Sequence, residues 1–413
     1  MLKLKEVILS ITNRCNFHCK MCDIPSLKTE ELSTVELKKI IKDASGLGVQ
    51  TIVFSGGEPL IRQDIYDLIA FTKSNKMSAC LTSNGSLIDE TAALRLSKSG
   101  VNVVNISIEG SKNIHDALRG VSSYDLAVNG LVNLRKHRIE STIAATVSKY
   151  NFESISSIIG IAREFGATTV RFQPFSDIFL TNKARSKDFF INNENLNVAT
   201  QVIEEIIKLS GENKIATNPE SYLRNIPFYL CTGKVKFQGA CNALSYSCPV
   251  NSTGNVFPCW NKTDSNQCIG SLRESNLSEL WFSEKREGII KSIINEGCAG
   301  CMMSCYDEVF DKSNLKDFMA KKIANVSRKD KKKLFNKFLN RASQSVKGEL
   351  TRLKFSLRFY KSYKGSFLGV IKRRIKAIFH FKKPVDNKNR FGLVMSEIDM
   401  AKKRLNKEIN RYK

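Results

Sequence analysis

The sequence contains no uninterrupted apolar run of about 18 residues, the length that suggests a membrane-spanning helix. Its first residues, MLKLKEVILSITNRC, place charges among the apolar positions and lack the pattern of a secretory signal peptide. The sequence also shows no internal repeat beyond an alternation of strand-like and helix-like segments. With 42% hydrophobic residues, these absences predict a globular protein located in the cytoplasm.

Residues 311–413 lack cysteine and contain few acidic residues. This tail has 31 Lys and Arg against 8 Asp and Glu, whereas residues 1–310 have 34 and 32. The net charge of +25 therefore belongs almost entirely to the tail, and the body of the protein is nearly neutral. Any chemistry that depends on cysteine therefore belongs to the body, and any function that depends on the positive charge belongs to the tail.

The twelve cysteines are many for a reducing compartment, where disulfides are rare, so they indicate metal binding or redox chemistry. Three lie within residues 15–22, and eight lie between residues 231 and 305. The remaining one, Cys80, stands in a strand-like segment, and we expect it to be a core residue.

Strand-like apolar runs alternate with helix-like segments from residue 5 to about residue 176. The strand candidates are residues 6–12, 51–56, 78–84, 101–110, 141–148 and 168–175. Between two of them, residues 123–137 are expected to place Leu126, Leu131 and Leu134 on one side of a helix. Six strand–helix units in series predict an α/β fold with a parallel sheet, either an open doubly wound sheet or a barrel. In such a fold, ligands bind at the carboxyl ends of the strands.

The segment after the first strand candidate reads CNFHCKMC and places three cysteines within eight residues. Three thiolates in one loop can hold three irons of a [4Fe–4S] cluster and leave the fourth iron open to another ligand. A zinc site that lacks one ligand and a set of buried thiols are the alternatives. The position at the carboxyl end of a strand favours a cluster, with Cys15, Cys19 and Cys22 as its ligands.

This loop, together with the next three strand ends, resembles the radical S-adenosylmethionine (SAM) superfamily. The second strand ends in SGGEP, the third in TSNG and the fourth in SIEG, and residues 115–120 read HDALRG. Each segment alone is equally consistent with a turn or a cap. In the family, the paired glycines hold the amino group of SAM, since glycine lets the backbone approach a ligand closely, and the other strand ends contact its ribose and carboxylate. By this resemblance, SAM is bound by Met21, which replaces the usual aromatic residue, and by Gly56, Gly57, Glu58, Ser83, Asn84, Ser107, Glu109 and Arg119.

The resemblance implies a reaction and its cofactors. A reduced [4Fe–4S] cluster splits SAM into methionine and a 5′-deoxyadenosyl radical, which removes a hydrogen atom from the substrate. An electron donor such as flavodoxin or ferredoxin reduces the cluster. We therefore expect an oxidoreductase or another enzyme that modifies a C–H bond.

The later cysteines have the spacing C-x17-C followed by C-x2-C, which suits four thiolates around zinc or an iron–sulfur cluster. Beside the upstream loop, this region resembles the SPASM/twitch extension, which closes an auxiliary [4Fe–4S] cluster. The cysteines fall short of a full SPASM set, so we expect one auxiliary cluster. The expected ligands are Cys241, Cys259, Cys298 and Cys301, with Cys305 as the substitute, while Cys231, Cys248 and Cys268 have no assigned role.

With these resemblances, the predicted fold is a partial (βα)6 TIM-like barrel with following helices in residues 1–230, a small Cys-rich α/β auxiliary-cluster domain in 231–310 and a basic helical tail in 311–413. The cysteine loop begins only 14 residues into the chain, so we expect no N-terminal peptide-recognition domain. This favours a sugar, a lipid-linked molecule or another small molecule as the substrate. Peptide modification is the alternative. A non-catalytic iron–sulfur or zinc adaptor is disfavoured, because it needs no SAM cradle.

Within the tail, residues 366–383 combine apolar residues at helical spacing with basic residues elsewhere. Phe367, Leu368, Ile371, Ile375 and Phe379 form the apolar stripe. A basic amphipathic helix is typical of a segment that lies on an anionic membrane, here the inner face of the cell membrane. An ordinary packed helix and a nucleic-acid-binding segment are the alternatives.

We expect the full-length protein to sediment with anionic vesicles but not with neutral ones, and binding to weaken as salt rises. Each basic residue near an anionic surface contributes about 1 kcal/mol, and inserted apolar side chains add to this. A truncation after residue 310 should lose vesicle binding. The triple variant Phe367→Ser, Ile371→Ser, Ile375→Ser tests the apolar part, and unchanged sedimentation would leave only nonspecific charge.

Overall fold

The computed structural model describes residues 4–235, 246–263, 265–295 and 301–303. All of these residues fall within one unit, Met1–Lys312. Among them, no helix is both long and apolar enough to cross a membrane. The predictions for residues 311–413 lie outside the described residues and stay predictions.

The described residues contain nine strands in one sheet, with the order β6-β5-β4-β3-β2-β1-β7-β8-β9. The strands are β1 (Glu6–Thr12), β2 (Thr51–Gly56), β3 (Ser78–Ser83), β4 (Val103–Ser107), β5 (Glu140–Val147), β6 (Thr169–Pro174), β7 (Ser247–Val250), β8 (Asn255–Val256) and β9 (Gly270–Ser271). Strands β1 to β6 are parallel and follow one another in sequence order, which confirms the predicted parallel α/β fold. Strand β7 pairs in parallel with β1, and β8 and β9 continue the sheet in antiparallel fashion.

Helices connect the successive parallel strands, and the last two helices of the described residues follow β9. The helices are α1 (Thr34–Gly46), α2 (Ile65–Ser74), α3 (Glu90–Ser99), α4 (Lys112–Arg119), α5 (Ser123–Lys136), α6 (Ile158–Phe165), α7 (Leu196–Asn213), α8 (Glu220–Leu223), α9 (Ile226–Thr232), α10 (Leu277–Trp281) and α11 (Glu284–Asn295). The expected buried face of α5 is wrong at Leu126, which is 42% exposed. Leu131 and Leu134 are buried as predicted, and Ala127 takes the place of Leu126, because positions i, i+4 and i+7 share one face.

The two faces of the sheet differ in burial and polarity. Residues such as Phe54, Leu81 and Ile106 are fully buried in the core. Alternate positions on the same strands are only half-buried, and several of them are polar. Members of this second face include Ser55, Cys80, Thr82, Asn105 and Ser107. Parallel sheets are normally covered on both faces, so this half-buried polar face has room for a ligand.

The sheet is curved, as the predicted partial barrel requires. In a flat sheet, β6 and β8 would lie seven strand spacings apart, about 34 Å. Instead, Gln173 of β6 donates a hydrogen bond to Sδ of Met303 at 3.3 Å. Met303 packs against Cys259, which lies three residues beyond β8. The two sides of the sheet therefore approach each other around the half-buried face.

His115 fastens α4 to the end of β4. The backbone N–H of Glu109 donates to Nδ1 of His115 at 3.2 Å, and the side chain is fully buried. Its Nε2 has no hydrogen-bond partner within the described part of the chain, and the ring packs edge-on against Tyr124. Burial, with a smaller contribution from Arg119, lowers the pKa of His115 to about 3.

We expect His115 to make the fold sensitive to mild acid. In the unfolded chain, His115 regains its ordinary pKa of about 6.5, so its neutral form stabilises the fold fully above that pH. The stability is lost as pH falls from 6.5 towards 3. Between pH 7.5 and 5.5 the loss should be about 1.4 kcal/mol.

Urea unfolding at several pH values checks this expectation. The variant His115→Asn keeps an acceptor for the Glu109 N–H but cannot titrate, so its stability should fall less over the same range. Parallel pH profiles for the two proteins would show that His115 titrates normally.

Candidate active site

The loop that follows β1 carries Cys15, Cys19 and Cys22, and its two ends are fixed by Glu31, which is partly buried, and Arg62, which is buried. Oε1 of Glu31 accepts hydrogen bonds from Oγ1 of Thr12 at 2.6 Å and from the Asn13 N–H at 2.8 Å. Nη1 of Arg62 donates to the carbonyls of Ile11 and Leu32 at 3.1 and 2.9 Å. The loop therefore leaves the sheet and returns to α1 at defined points.

The three sulfurs of this loop receive hydrogen-bond donors. Sγ of Cys15 accepts from the Phe17 N–H at 3.4 Å and from Nδ2 of Asn84 at 3.9 Å. Sγ of Cys19 accepts from Nη1 of Arg119 at 3.8 Å. A tight turn, in which the Cys22 N–H donates to the Cys19 carbonyl at 3.1 Å, brings Cys22 to the same side.

Burial raises the pKa of all three thiols, that of Cys22 to about 11. The N–H donors oppose this shift, because they stabilise the thiolate. Within the described residues, no three metal-ligating side chains meet at the distances of a single bound ion. A [4Fe–4S] cluster holds each thiolate on a separate iron. Three thiols with N–H donors, close enough to raise one another's pKa, therefore fit a cluster better than a single metal ion.

Gly56 and Gly57 let the end of β2 lie directly on the cysteine loop. A Cβ on Gly56 would stand 2.2 Å from the Thr12 carbonyl oxygen, and one on Gly57 would stand 2.3 Å from that of Arg14. The Gly57 N–H donates to Thr12 O at 2.8 Å, and the Glu58 N–H donates to Arg14 O at 2.9 Å. The predicted role of these glycines in binding SAM stays a prediction. The contact that requires them in this structure is with the protein's own backbone.

Glu58 is fully buried and binds the end of β3 rather than facing open space. Its carboxylate accepts hydrogen bonds from the Asn84 N–H at 2.7 Å, from Oγ of Ser83 at 2.9 Å and from the Leu60 N–H at 3.1 Å. Burial raises the pKa of Glu58 to about 7 against the effect of these donors. Glu58 therefore orients Ser83 and Asn84, and Asn84 in turn reaches Cys15.

Glu109 and Arg119 form a buried ion pair beside the loop. Nε and Nη2 of Arg119 donate to Oε1 of Glu109 at 2.9 and 2.5 Å. Oε2 of Glu109 accepts from the Thr146 N–H at 2.7 Å. Burial opposes the charge on Arg119, but Glu109 together with Cys19 and Cys22 outweighs burial and raises the pKa of the guanidinium. Arg119 thus stays charged next to Cys19.

The two remaining SAM-binding predictions fall in different surroundings. Ser107 ends β4 on the half-buried polar face, where its neighbour Asn105 donates to Oγ1 of Thr82 at 3.3 Å. Met21 is only 9% exposed and packs in the apolar core. Ser107 therefore lies on the face with room for a ligand, whereas Met21 anchors the cysteine loop in the apolar core.

Two of the predicted auxiliary ligands lie near each other. Cys259 is buried beside Met303, and Cys301 packs against this pair together with Trp260 and Ile178. Ile178 follows β6 by four residues, so the cluster of side chains lies at the carboxyl end of the sheet. The other predicted ligands, Cys241, Cys298 and Cys305, lie outside the described residues.

The other cysteines occupy varied positions. Cys80 lies in β3 on the half-buried face, so the expected core position is only partly correct, and burial raises its pKa to about 11. Cys248 is fully buried in β7. Cys231 donates to Oδ1 of Asn193 at 3.0 Å, and Cys268 contacts the Gly270 carbonyl.

Sequence reasoning missed the side chains that hold the cysteine loop and Glu109 in place. Glu31, Arg62 and Asn151 belong to no recognisable motif, and their roles depend on contacts between distant segments. Only their charge or polarity next to apolar segments signals them. His115 lies inside the HDALRG segment, but its burial and its bond to the Glu109 N–H are not visible in the sequence.

Comparison with known proteins adds two family matches. Residues 9–160 match the radical SAM superfamily, and residues 241–306 match the SPASM iron–sulfur cluster-binding domain. Together the two stretches cover more than half of the chain. These two domains imply [4Fe–4S] clusters and SAM as cofactors.

Curated relatives of this chain include two synthases and a maturase. The Fe-coproporphyrin III synthase of Methanosarcina barkeri is 35% identical over 166 residues, which are 39% of this chain and 42% of the relative. The AdoMet-dependent heme synthase of the same organism is 28% identical over 72% of this chain and 90% of its own length. The mycofactocin maturase MftC of Mycobacterium tuberculosis is 24% identical over 71% of this chain and 74% of its own length.

Solved structures share the fold. Streptococcus suis SuiB bound to S-adenosylmethionine gives a TM-score of 0.58 at 18% identity, over 70% of this chain and 68% of that one. The native anSMEcpe structure with bound AdoMet gives 0.56 at 20% identity, over 70% and 83%. The chain belongs to the radical SAM superfamily of enzymes and carries a SPASM-type iron–sulfur cluster-binding domain.

Proposed function

We propose that this chain binds a SAM-cleaving [4Fe–4S] cluster through Cys15, Cys19 and Cys22 and modifies a C–H bond of an anionic small molecule. The observation that carries the proposal is the loop after β1, where all three thiols have N–H donors: Asn84 after β3 for Cys15, Arg119 of α4 for Cys19 and a backbone N–H for Cys22. When bound, the reduced cluster and SAM supply a carbon-centred radical that can remove a hydrogen atom. An electron donor such as flavodoxin or ferredoxin completes the system.

The surrounding residues position the loop and the bound SAM. Arg119 presents a charged guanidinium, which suits a carboxylate, and Glu109 holds it in place. Ser107 and the backbone at Gly56 and Gly57 offer polar groups at the neighbouring strand ends. Glu58 keeps Ser83 and Asn84 in register with the loop.

An auxiliary cluster at Cys259 and Cys301 fits the SPASM match. Cys241 and Cys298 complete the proposed ligand set, with Cys305 as the substitute. Cys259 and Cys301 contact residues that follow β6, so this cluster would lie near the carboxyl ends of the strands. That position suits a role in binding substrate or in accepting an electron from it.

A cavity of about 490 Å³ lies at the carboxyl end of β5 and β6, between Lys149, Lys187, Phe190 and Cys231. Neither lysine ammonium makes an ion pair with the residues that the structure describes. Tyr150 follows Lys149 in the sequence, and Nζ of Lys20 lies 5.6 Å from the centre of its ring. Because Lys20 belongs to the cysteine loop, this contact links the cavity to that loop. Two cations that form no ion pair with the described residues favour a substrate with carboxylate or phosphate groups.

A peptide is the second candidate substrate. It is supported by the similarity to the mycofactocin maturase over 71% of this chain. The similarity to the heme synthase, over 90% of that relative's length, supports the small molecule more strongly.

Replacing the three loop cysteines tests the SAM-cleaving site. Reconstituted wild-type protein with dithionite and SAM should form 5′-deoxyadenosine and contain about eight irons. The variant Cys15→Ala, Cys19→Ala, Cys22→Ala should form none and keep about four irons in the auxiliary cluster. Cys80→Ala serves as the matched control and should behave as wild type. Continued 5′-deoxyadenosine formation in the triple variant would refute the assignment.

Lysine footprinting with inorganic pyrophosphate as an anionic probe tests the cavity. Acetylation of Lys149 and Lys187, measured residue by residue by mass spectrometry, should fall several-fold when pyrophosphate is present, because the bound anion covers both ammonium groups. Lys39 and Lys42 on the exposed side of α1 are the internal control and should react unchanged. Equal protection of all four lysines would mean that only nonspecific charge is involved.

A further inference from the structure

Arg119 contacts one sulfur of the cysteine loop through the guanidinium nitrogen that does not bind Glu109. Nε and Nη2 are occupied by Glu109, while Nη1 points at Sγ of Cys19 from 3.8 Å. The arginine side chain is 14% exposed and the glutamate side chain 0%. Water therefore screens this contact only weakly.

The contact is held in place by surrounding main-chain bonds. Glu109 is fixed by the Thr146 N–H on its carboxylate and by Nδ2 of Asn151 on its carbonyl, at 2.7 and 2.9 Å. The cysteine loop is bonded to α4, the helix that carries Arg119, because the Lys20 N–H donates to the Leu118 carbonyl at 2.9 Å. Arg119 and Cys19 are thus positioned by separate anchors on either side.

The three sulfurs are not equivalent in this respect. Among the described residues, the donors to Cys15 are neutral, the Phe17 N–H and the Asn84 amide. Cys22 has a backbone N–H donor. Cys19 alone, within that part of the chain, accepts from a cation. A charged donor withdraws more electron density from a sulfur than a neutral one does.

We propose that Arg119 sets the reduction potential of the SAM-cleaving cluster through its hydrogen bond to Cys19, with Glu109 positioning it. The inference rests on the proposed function, since Cys19 must be a cluster ligand. Hydrogen bonds to the sulfurs of iron–sulfur clusters stabilise the reduced form and raise the potential. Glu109 limits this effect by balancing the charge, so the pair holds the cluster at an intermediate potential.

A redox titration followed by electron paramagnetic resonance tests the proposal on the cluster-loaded full chain. The SAM-binding cluster is identified as the signal that changes shape when SAM is added. The double variant Arg119→Gln, Glu109→Gln removes the cation without leaving a buried carboxylate unpaired. Its cluster should be about tenfold harder to reduce, which is ~59 mV for a one-electron couple. Arg119→Lys, which keeps the charge, should recover part of the shift.

Arg185→Gln is the matched control. Arg185 also holds the cysteine loop, through Asp23 and the Lys20 carbonyl at 2.8 and 2.6 Å, but it contacts no loop sulfur. The control should shift the potential much less than the double variant. An intact cluster with an unmoved potential in the double variant would overturn this inference alone. Absence of any SAM-responsive cluster signal in the wild type would overturn the proposed function as well.

Discussion

The contact between the end of β2 and the start of the cysteine loop is the constraint on which the site depends. Gly57 and Glu58 donate their N–H groups to the carbonyls of Thr12 and Arg14, so the loop begins as an extension of the sheet rather than as free chain. Any side chain on Gly56 or Gly57 would overlap those carbonyls. The loop can take this path only because neither glycine has a Cβ. This path places the three cysteines on one side of the loop.

Two buried glutamates then connect alternate strand ends around the same rim. Glu58 follows β2 and accepts the N–H of Asn84 after β3, while Glu109 follows β4 and accepts the N–H of Thr146 in β5. The ends of parallel strands leave backbone donors without partners, and a buried donor without a partner is costly. Each carboxylate satisfies such a donor and also meets a group that reaches a sulfur, Asn84 or Arg119. Strand-end stability and sulfur environment therefore come from the same residues.

The sequence predicts the repeating part of the fold well, because its information is local. The runs at residues 6–12 and 51–56 match β1 and β2 end to end, since apolar runs closed by polar residues mark strands directly. It does not predict that β7 would pair with β1, because that pairing joins segments some 240 residues apart. The contact of Gly56 with the protein backbone is not predicted for a similar reason. A pair of glycines in the sequence indicates only that some group approaches the backbone closely. In the structure this group is the Thr12 carbonyl, which belongs to another segment.

The placement of β7 also explains how two cysteine groups far apart in sequence come to share one end of the sheet. β7 continues the sheet beside β1, the strand that feeds the cysteine loop, and β8 and β9 follow it. Because the sheet curves, Cys259 just beyond β8 meets residues that follow β6 on the opposite side. The later segment thus bridges the open side of the partial barrel, next to the half-buried polar face. A substrate held on that face would lie between the two cysteine groups. Radical chemistry at the first group and electron acceptance at the second would require this arrangement.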